Sequence, residues 1–264
     1  MEQQIRNGAR KFLPTIIRKP LGRLAGKFNE RVIQVLGGVI FDLKGGHFHA
    51  DGCTFSIPRD VTTKAYRSCF LTDKYEREER ALILQWLRPD DTVIELGACL
   101  GIVSCITNKL LSDKKRHVVV EGNPFCIPSI YRNRELNGSE FLVEHCAVSS
   151  ETEATFYLHP TYIVGGTVQR ASDRPCRLPA KSLRQLDQDR GPFTALIIDI
   201  EGSEREVFEN SKEILKRYRL VLAELHEWAI GAAGVERCRE ILRGAGLRQV
   251  GQAGIVEAWE RPKE

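Results

Sequence analysis

The stretch Val93-Ile94-Glu95-Leu96-Gly97-Ala98-Cys99-Leu100-Gly101 decides the fold. It opens with an apolar run around one acid, the pattern of a strand covered on both faces. Gly97 and Gly101 follow, and an apolar helical pattern begins at Gly101. Glycine lets the backbone turn sharply and come close to a ligand. A helix starting there aims its first amides at the same point. The stretch therefore reads as strand, glycine turn, helix. A dinucleotide fingerprint would carry a glycine at position 99, where this chain has Cys99.

The alternation continues downstream. Thr92 to Leu96, His117 to Glu121, Phe141 to Val148, Ala195 to Ile200 and Leu220 to Leu225 read as strands. Gly101 to Leu111, Pro124 to Asn137, Glu204 to Arg217 and Val235 to Ala245 read as helices. A β-like, turn-rich insert runs from Thr155 to Ser172, and Leu247 to Val250 with Gly254 to Trp259 forms a closing hairpin. Strands alternating with helices imply an α/β fold with a mostly parallel sheet, and the hairpin adds a C-terminal antiparallel strand.

Upstream, Asp73-Lys-Tyr-Glu76 reads as a capping box opening a helix whose apolar stripe is Leu82, Ile83, Trp86 and Leu87. Residues 31 to 57 read as short strands, Val32 to Leu36, Val39 to Leu43 and Phe48 to Ile57, with glycine turns between them. His47 and His49 alternate onto one solvent face, and no metal site is expected there. Residues 1 to 30 are basic and amphipathic, broken by Pro14 and Pro20. Two readings of them stay open: an arm or short helix against the domain, and a weak contact with an anionic membrane surface. The expected division is a small β/helical region over 1–71 and a main domain over 72–264.

Composition narrows the class. The 264 residues carry 39 basic and 35 acidic side chains, a net charge of +4 that does not call for nucleic acid. Eight scattered cysteines form no CxxC pair, which suits reduced thiols in a cytoplasmic protein. The sequence shows no membrane-spanning stretch, and no secretory leader is expected.

The placement of acids carries the functional reading. Glu95, Glu121, Asp199 with Glu201, and Glu224 fall at or near the ends of four strands. A buried strand does not tolerate unpaired charge, and ligands of such sheets bind at the carboxyl ends. Glu121 lies 24 residues after Gly97 (121 − 97), the register in which a carboxylate accepts hydrogen bonds from ribose hydroxyls.

Together these residues resemble the FkbM family of methyltransferases. The resemblance rests on Tyr75-Glu76, on the stretch from Val93 to Gly101, and on Val120-Glu121-Gly122-Asn123-Pro124. It is completed by Ile198-Asp199-Ile200-Glu201-Gly202-Ser203-Glu204 and Glu224-Leu225-His226. The family commonly has proline where Gly122 stands, and often a lysine where Ile197 stands. The resemblance implies a Rossmann-like class I methyltransferase sheet and S-adenosyl-L-methionine as cofactor. It implies that Glu76, Glu95, Gly97, Ala98, Gly101 and Asp199 border the methionine part, Glu121 and Asn123 the ribose, and Cys146 with Ala147 the adenine. It also implies a hydroxyl acceptor on a small molecule, sugar, glycan or secondary metabolite.

A hydroxyl acceptor needs its proton removed. His226 is the candidate base, with Asp199, Glu201 and Glu224 beside it. A divalent cation on the three acids is the weaker route, and no metal is expected. Competing classes are a nicotinamide-dependent oxidoreductase, which lacks its middle glycine and a Tyr-x-x-x-Lys pair, and a non-catalytic module with idle acids. A nucleic-acid methyltransferase lacks its Asn/Asp-Pro-Pro-Tyr element.

Overall fold

The computed structural model describes residues 30–158 and 174–263. The arm read over residues 1–30, apart from residue 30, and residues 159–172 of the insert lie outside the described residues.

The chain opens with helix α1, residues 30–43. The hairpin β1 (His47–Ala50) and β2 (Cys53–Ser56) follows, then α2 (Lys64–Leu71) and α3 (Arg77–Trp86). Next come β3 (Val93–Leu96), α4 (Ile102–Leu110), β4 (His117–Glu121), α5 (Ile127–Leu136) and β5 (Leu142–His145). The insert is β6 (Ala147–Val148), β7 (Glu153–Tyr157) and β8 (Pro175–Lys181), and α6 (Leu183–Arg190) leads out of it. The chain ends with β9 (Ala195–Ile198), α7 (Glu204–Asn210), α8 (Lys212–Leu215), β10 (Leu220–Glu224), α9 (Glu227–Gly244), β11 (Arg248–Ala253) and β12 (Val256–Glu260).

Seven strands make the central sheet, in the order β11-β12-β10-β9-β3-β4-β5. The pairs from β10 to β5 are parallel, and β12 runs antiparallel to both β10 and β11. This is the Rossmann-like sheet that the resemblance implies, with an antiparallel closing hairpin. Side chains alternate across it. Ile94, Leu96, Ile198, Val221 and Ala223 join a core with Phe208, Leu242 and Trp259 on one face. Val93, Ile197, Leu220 and Leu222 pack with Leu82 and Ile83 of α3 on the other. At the amino-terminal edge Arg219 pairs with Asp91 and Glu260. The opposite edge is where the strand-end acids lie.

The N-terminal region shares a core with this unit. Phe41, Phe48, Phe55 and Phe70 belong to one apolar cluster with Leu100, Ile102 and Ile130. Buried Arg80 reaches Asp51 and Asp73, each at 2.6 Å, and so ties the β1–β2 turn to the start of α3.

Five local expectations are corrected. Residues 32–43 are one helix, because close packing on α2 decides: a Cβ on Gly38 would stand 1.8 Å from the Lys64 carbonyl oxygen. Asp73 does not cap α3; the N-cap is Glu76, without a side-chain cap bond, and the Asp73 carboxylate is spent on Arg80. The strand read as Phe141 to Val148 splits at Cys146, its last two residues pairing with β8 instead of β4. The helix read from Glu204 to Arg217 breaks at Ser211. The last helix begins eight residues earlier than its apolar pattern, at Glu227, with Gly231 out of helical geometry.

Candidate active site

Strand order reverses between β3 and β9, the point where open α/β sheets form a ligand crevice. The loops after β3, β4, β9 and β10 converge there, together with the start of α3.

The glycine loop is built around a backbone crossing. Gly97 has φ +94°, and a Cβ there would stand 1.7 Å from the Asp199 carbonyl oxygen. The amide of Gly97 donates to Val120 and that of Asp199 to Leu96, each at 2.9 Å. Gly97 therefore exists to let two strand-end loops touch. Gly101 has φ +72° and lets α4 approach Ile130 of α5. Ala98 is buried in the same turn. Cys99, Glu76 and Glu201 adopt left-handed φ of 49°, 44° and 47° without being glycine. Such strain is held by surrounding structure and gathers at functional sites.

Glu121 ends β4, almost fully buried. Its Oε2 accepts the Cys99 amide at 2.7 Å and its Oε1 the Asn123 amide at 2.6 Å. Asn123 in turn accepts the Phe125 amide and holds the turn. Burial raises the Glu121 carboxyl to about 7 even though these amides favour the charged form. The departure from the family at Gly122 has a local cause: a Cβ there would meet the Phe156 ring of β7 at 2.8 Å.

Glu95 is placed differently from the cofactor role the resemblance implies. It is 1% exposed, hydrogen-bonded by the Ser104 hydroxyl, with Oε2 3.3 Å from His117 Nε2. Its side chain ties β3 to α4 and β4. Cys146 is buried in the core cluster beside Val118 and Val120, and Ala147 is buried as it starts β6.

The remaining acids form one cluster. Asp199 follows β9, Glu224 ends β10, and His226 lies two residues beyond. His226 Nε2 is 3.4 Å from Glu224 Oε1 and 3.6 Å from Asp199 Oδ1, and the three ligand-type atoms lie within 4.8 Å of one another. Glu204 completes the group. It is fully buried, accepts the Gly202 amide at 2.9 and 3.1 Å, and accepts His226 Nδ1–H at 2.7 Å. Sequence reasoning assigned Glu204 no role. The signal was present in its spacing, three residues after Glu201 at the first turn of a helix.

Glu201 does not share a strand face with Asp199 as a period-two alternation would have it. Strand β9 stops at Ile198, and Glu201 turns into left-handed backbone. Glu76 and Glu79 approach from α3.

Charge in the cluster is strongly coupled. Burial, then the charges of Glu224, Glu76 and Glu79, pushes the Asp199 carboxyl well above the usual range. Burial, then Glu224, raises Glu76 to about 7. Burial alone would lower His226, but hydrogen bonds to Glu204 and Glu224 and the Asp199 charge outweigh it and lift the imidazole to about 10.

The model of the FkbM methyltransferase domain matches residues 95–248, more than half of the chain. The protein belongs to the FkbM methyltransferase family. With that assignment, neither nicotinamide redox chemistry nor an idle scaffold describes this FkbM enzyme. Its cofactor is S-adenosyl-L-methionine, and the site suits it on two counts. Asp199 Oδ1 is buried with no hydrogen-bond partner, the environment a ligand's ammonium or sulfonium charge completes. Glu121, buried at the end of β4, stands where an acid in such sheets meets a ribose.

No curated protein sequence matches the chain. Solved structures with a similar fold include a putative O-methyltransferase from Klebsiella pneumoniae, at 12% identity and TM-score 0.44, covering 70% of this chain and 80% of that one. An O-methyltransferase from Bacillus cereus in complex with SAH has 14% identity and TM-score 0.46, covering 69% and 80%. The O-methyltransferase TomG from Streptomyces achromogenes, in complex with SAM, has 17% identity and TM-score 0.44, covering 70% and 79%. Among the described residues no helix is long and apolar enough to cross a membrane.

Proposed function

We propose that this FkbM methyltransferase O-methylates a hydroxyl of a neutral, hydroxyl-rich acceptor such as a sugar, a glycan or a polyol-bearing metabolite, with His226 as the base. The observation that carries this reading is the Glu204–His226–Asp199/Glu224 arrangement at the carboxyl edge of the sheet. Glu204 fixes the ring through Nδ1 and leaves Nε2 facing the crevice acids.

The bound cofactor supplies an activated methyl group on a positively charged sulfur. Alignment and proton removal are left to the protein. Glu121 orients the ribose hydroxyls, with Asn123 and the Cys99 amide holding its carboxylate. The Gly97–Ala98 backbone and Asp199 border the methionine portion, with Glu76 closing that side. Gly101 and Glu95 act from behind, setting the loop and helix. Cys146 and Ala147 lie by the adenine through their backbone.

Before ligands bind, the acids hold a proton on His226 Nε2. With a cation beside Asp199 the negative charge that stabilises this proton would be offset, Nε2 would release it to water, and the neutral imidazole could then accept one from the acceptor hydroxyl. Glu224 and Glu201 accept hydrogen bonds from neighbouring hydroxyls of the same acceptor. An anionic acceptor would be repelled by this cluster.

The test is methyl transfer from S-adenosyl-L-methionine to a panel of hydroxylated acceptors by wild type and His226→Ala. Turnover should fall about a hundredfold or more, with affinity for S-adenosylhomocysteine nearly unchanged. Near-normal turnover in the variant would make His226 structural.

A further inference from the structure

Helix α1 presents an aliphatic stripe that the fold leaves uncovered. Ile33, Leu36, Ile40 and Leu43 follow each other at intervals of three and four, and they are 67%, 56%, 46% and 82% exposed. That spacing places them along one side of the helix. The other side is already satisfied: Gly37 and Gly38 pack against Ser68 and Lys64 of α2, Phe41 is buried, and Asp42 pairs with Arg67 at 2.7 Å. A row of exposed aliphatic side chains on an ordered helix marks an interaction site.

The charge pattern points to what covers it. Residues 1–29 hold seven basic side chains and one acid, Glu2. The rest of the chain then holds 32 basic (39 − 7) and 34 acidic (35 − 1) side chains. The segment feeding α1 carries +6 and everything after it −2, so the protein's net positive charge lies in the segment that precedes the stripe in sequence. An apolar helix face next to a polybasic segment is the chemistry that anionic lipid surfaces attract.

We propose that α1 lies on an anionic membrane surface, its Ile33–Leu43 stripe in the headgroup boundary and residues 1–29 on the lipid phosphates and carboxylates. A second copy of the chain is the poorer occupant. The stripe offers roughly a few hundred Å², against about 800 Å² per partner in a standard interface. A parallel pairing would also bring two +6 segments together.

The test uses the full chain and phosphatidylcholine vesicles with and without phosphatidylserine, in a flotation assay. Binding to the anionic vesicles should be at least about tenfold tighter than to the neutral ones, and should weaken as salt is raised. Ile33→Asp with Leu36→Asp should lower binding about tenfold or more. Arg18→Glu with Lys19→Glu should act in the same direction through charge alone. Both variants should keep the wild-type melting temperature and S-adenosylhomocysteine affinity, which separates this proposal from the reading of the catalytic site. Absent binding, equal binding to neutral vesicles, or unchanged binding by the stripe variant would overturn it. So would a concentration-dependent dimer in sedimentation that the stripe variant abolishes, which would assign the stripe to a second copy.

Discussion

At the scale of single residues, the two glycines of the first loop show how a correct signal can have a different cause. Sequence reasoning took Gly97 as room for a ligand. In the structure the space above it is filled by the Asp199 carbonyl, so the glycine serves the contact between two loops. Gly97→Ala combines a left-handed φ with a backbone collision. It should cost about 3 kcal/mol or more, read as a fall in the denaturant midpoint; wild-type stability would show that the crossing can relax. Glu95 was legible as a strand acid, but its partners Ser104 and His117 lie 9 and 22 residues away and appear only in the fold. Glu204 went without a role for a related reason: its spacing from Glu201 is visible in the sequence, but its contact with His226 appears only in the fold.

At the scale of elements, the register of β4 was legible to the residue, because five residues in a row are buried and Glu121 ends the run. Helix α1 was not. Val, Ile and a glycine pair carry strand-and-turn propensity, and the outcome was set by packing on α2 and the Asp42–Arg67 pair, which no local pattern contains. The start of α3 failed similarly, since a carboxylate in the capping position was taken by Arg80. A capping box does occur elsewhere: Ser182 accepts the Gln185 amide while Gln185 Oε1 accepts the Ser182 amide, opening α6. Ser182→Ala should destabilise the protein by about 1 kcal/mol without altering cofactor affinity, as thermal unfolding and titration of the variant would show.

At the scale of the molecule, the alternation of strands and helices and the acids at four strand ends pointed to one edge of one sheet, where the structure gathers Asp199, Glu224 and His226. The charge state of that edge required the three-dimensional neighbours. Gathering so many acids has a cost in stability. Glu121 and Glu76 are raised from 4.5 to about 7, and His226 from 6.5 to about 10. A raised value means the folded state holds its proton more tightly than the unfolded chain. The associated stability is fully present below the unfolded value and is lost as pH rises through the folded one. Both the carboxyls and the imidazole therefore act in the same direction. The melting temperature of the ligand-free protein should be highest near about pH 5 and fall as pH rises toward about 9. A melting temperature that rises over this range would contradict the electrostatic account.

Calorimetric titration with S-adenosylhomocysteine, using NAD(H) as control, on wild type and Glu121→Gln decides whether this edge of the sheet is the cofactor site. Wild type should bind S-adenosylhomocysteine alone, with about micromolar affinity, and Glu121→Gln should bind it about tenfold more weakly. Binding of NAD(H) in its place, or of neither ligand, would contradict it. Unchanged affinity in Glu121→Gln would remove the ribose assignment.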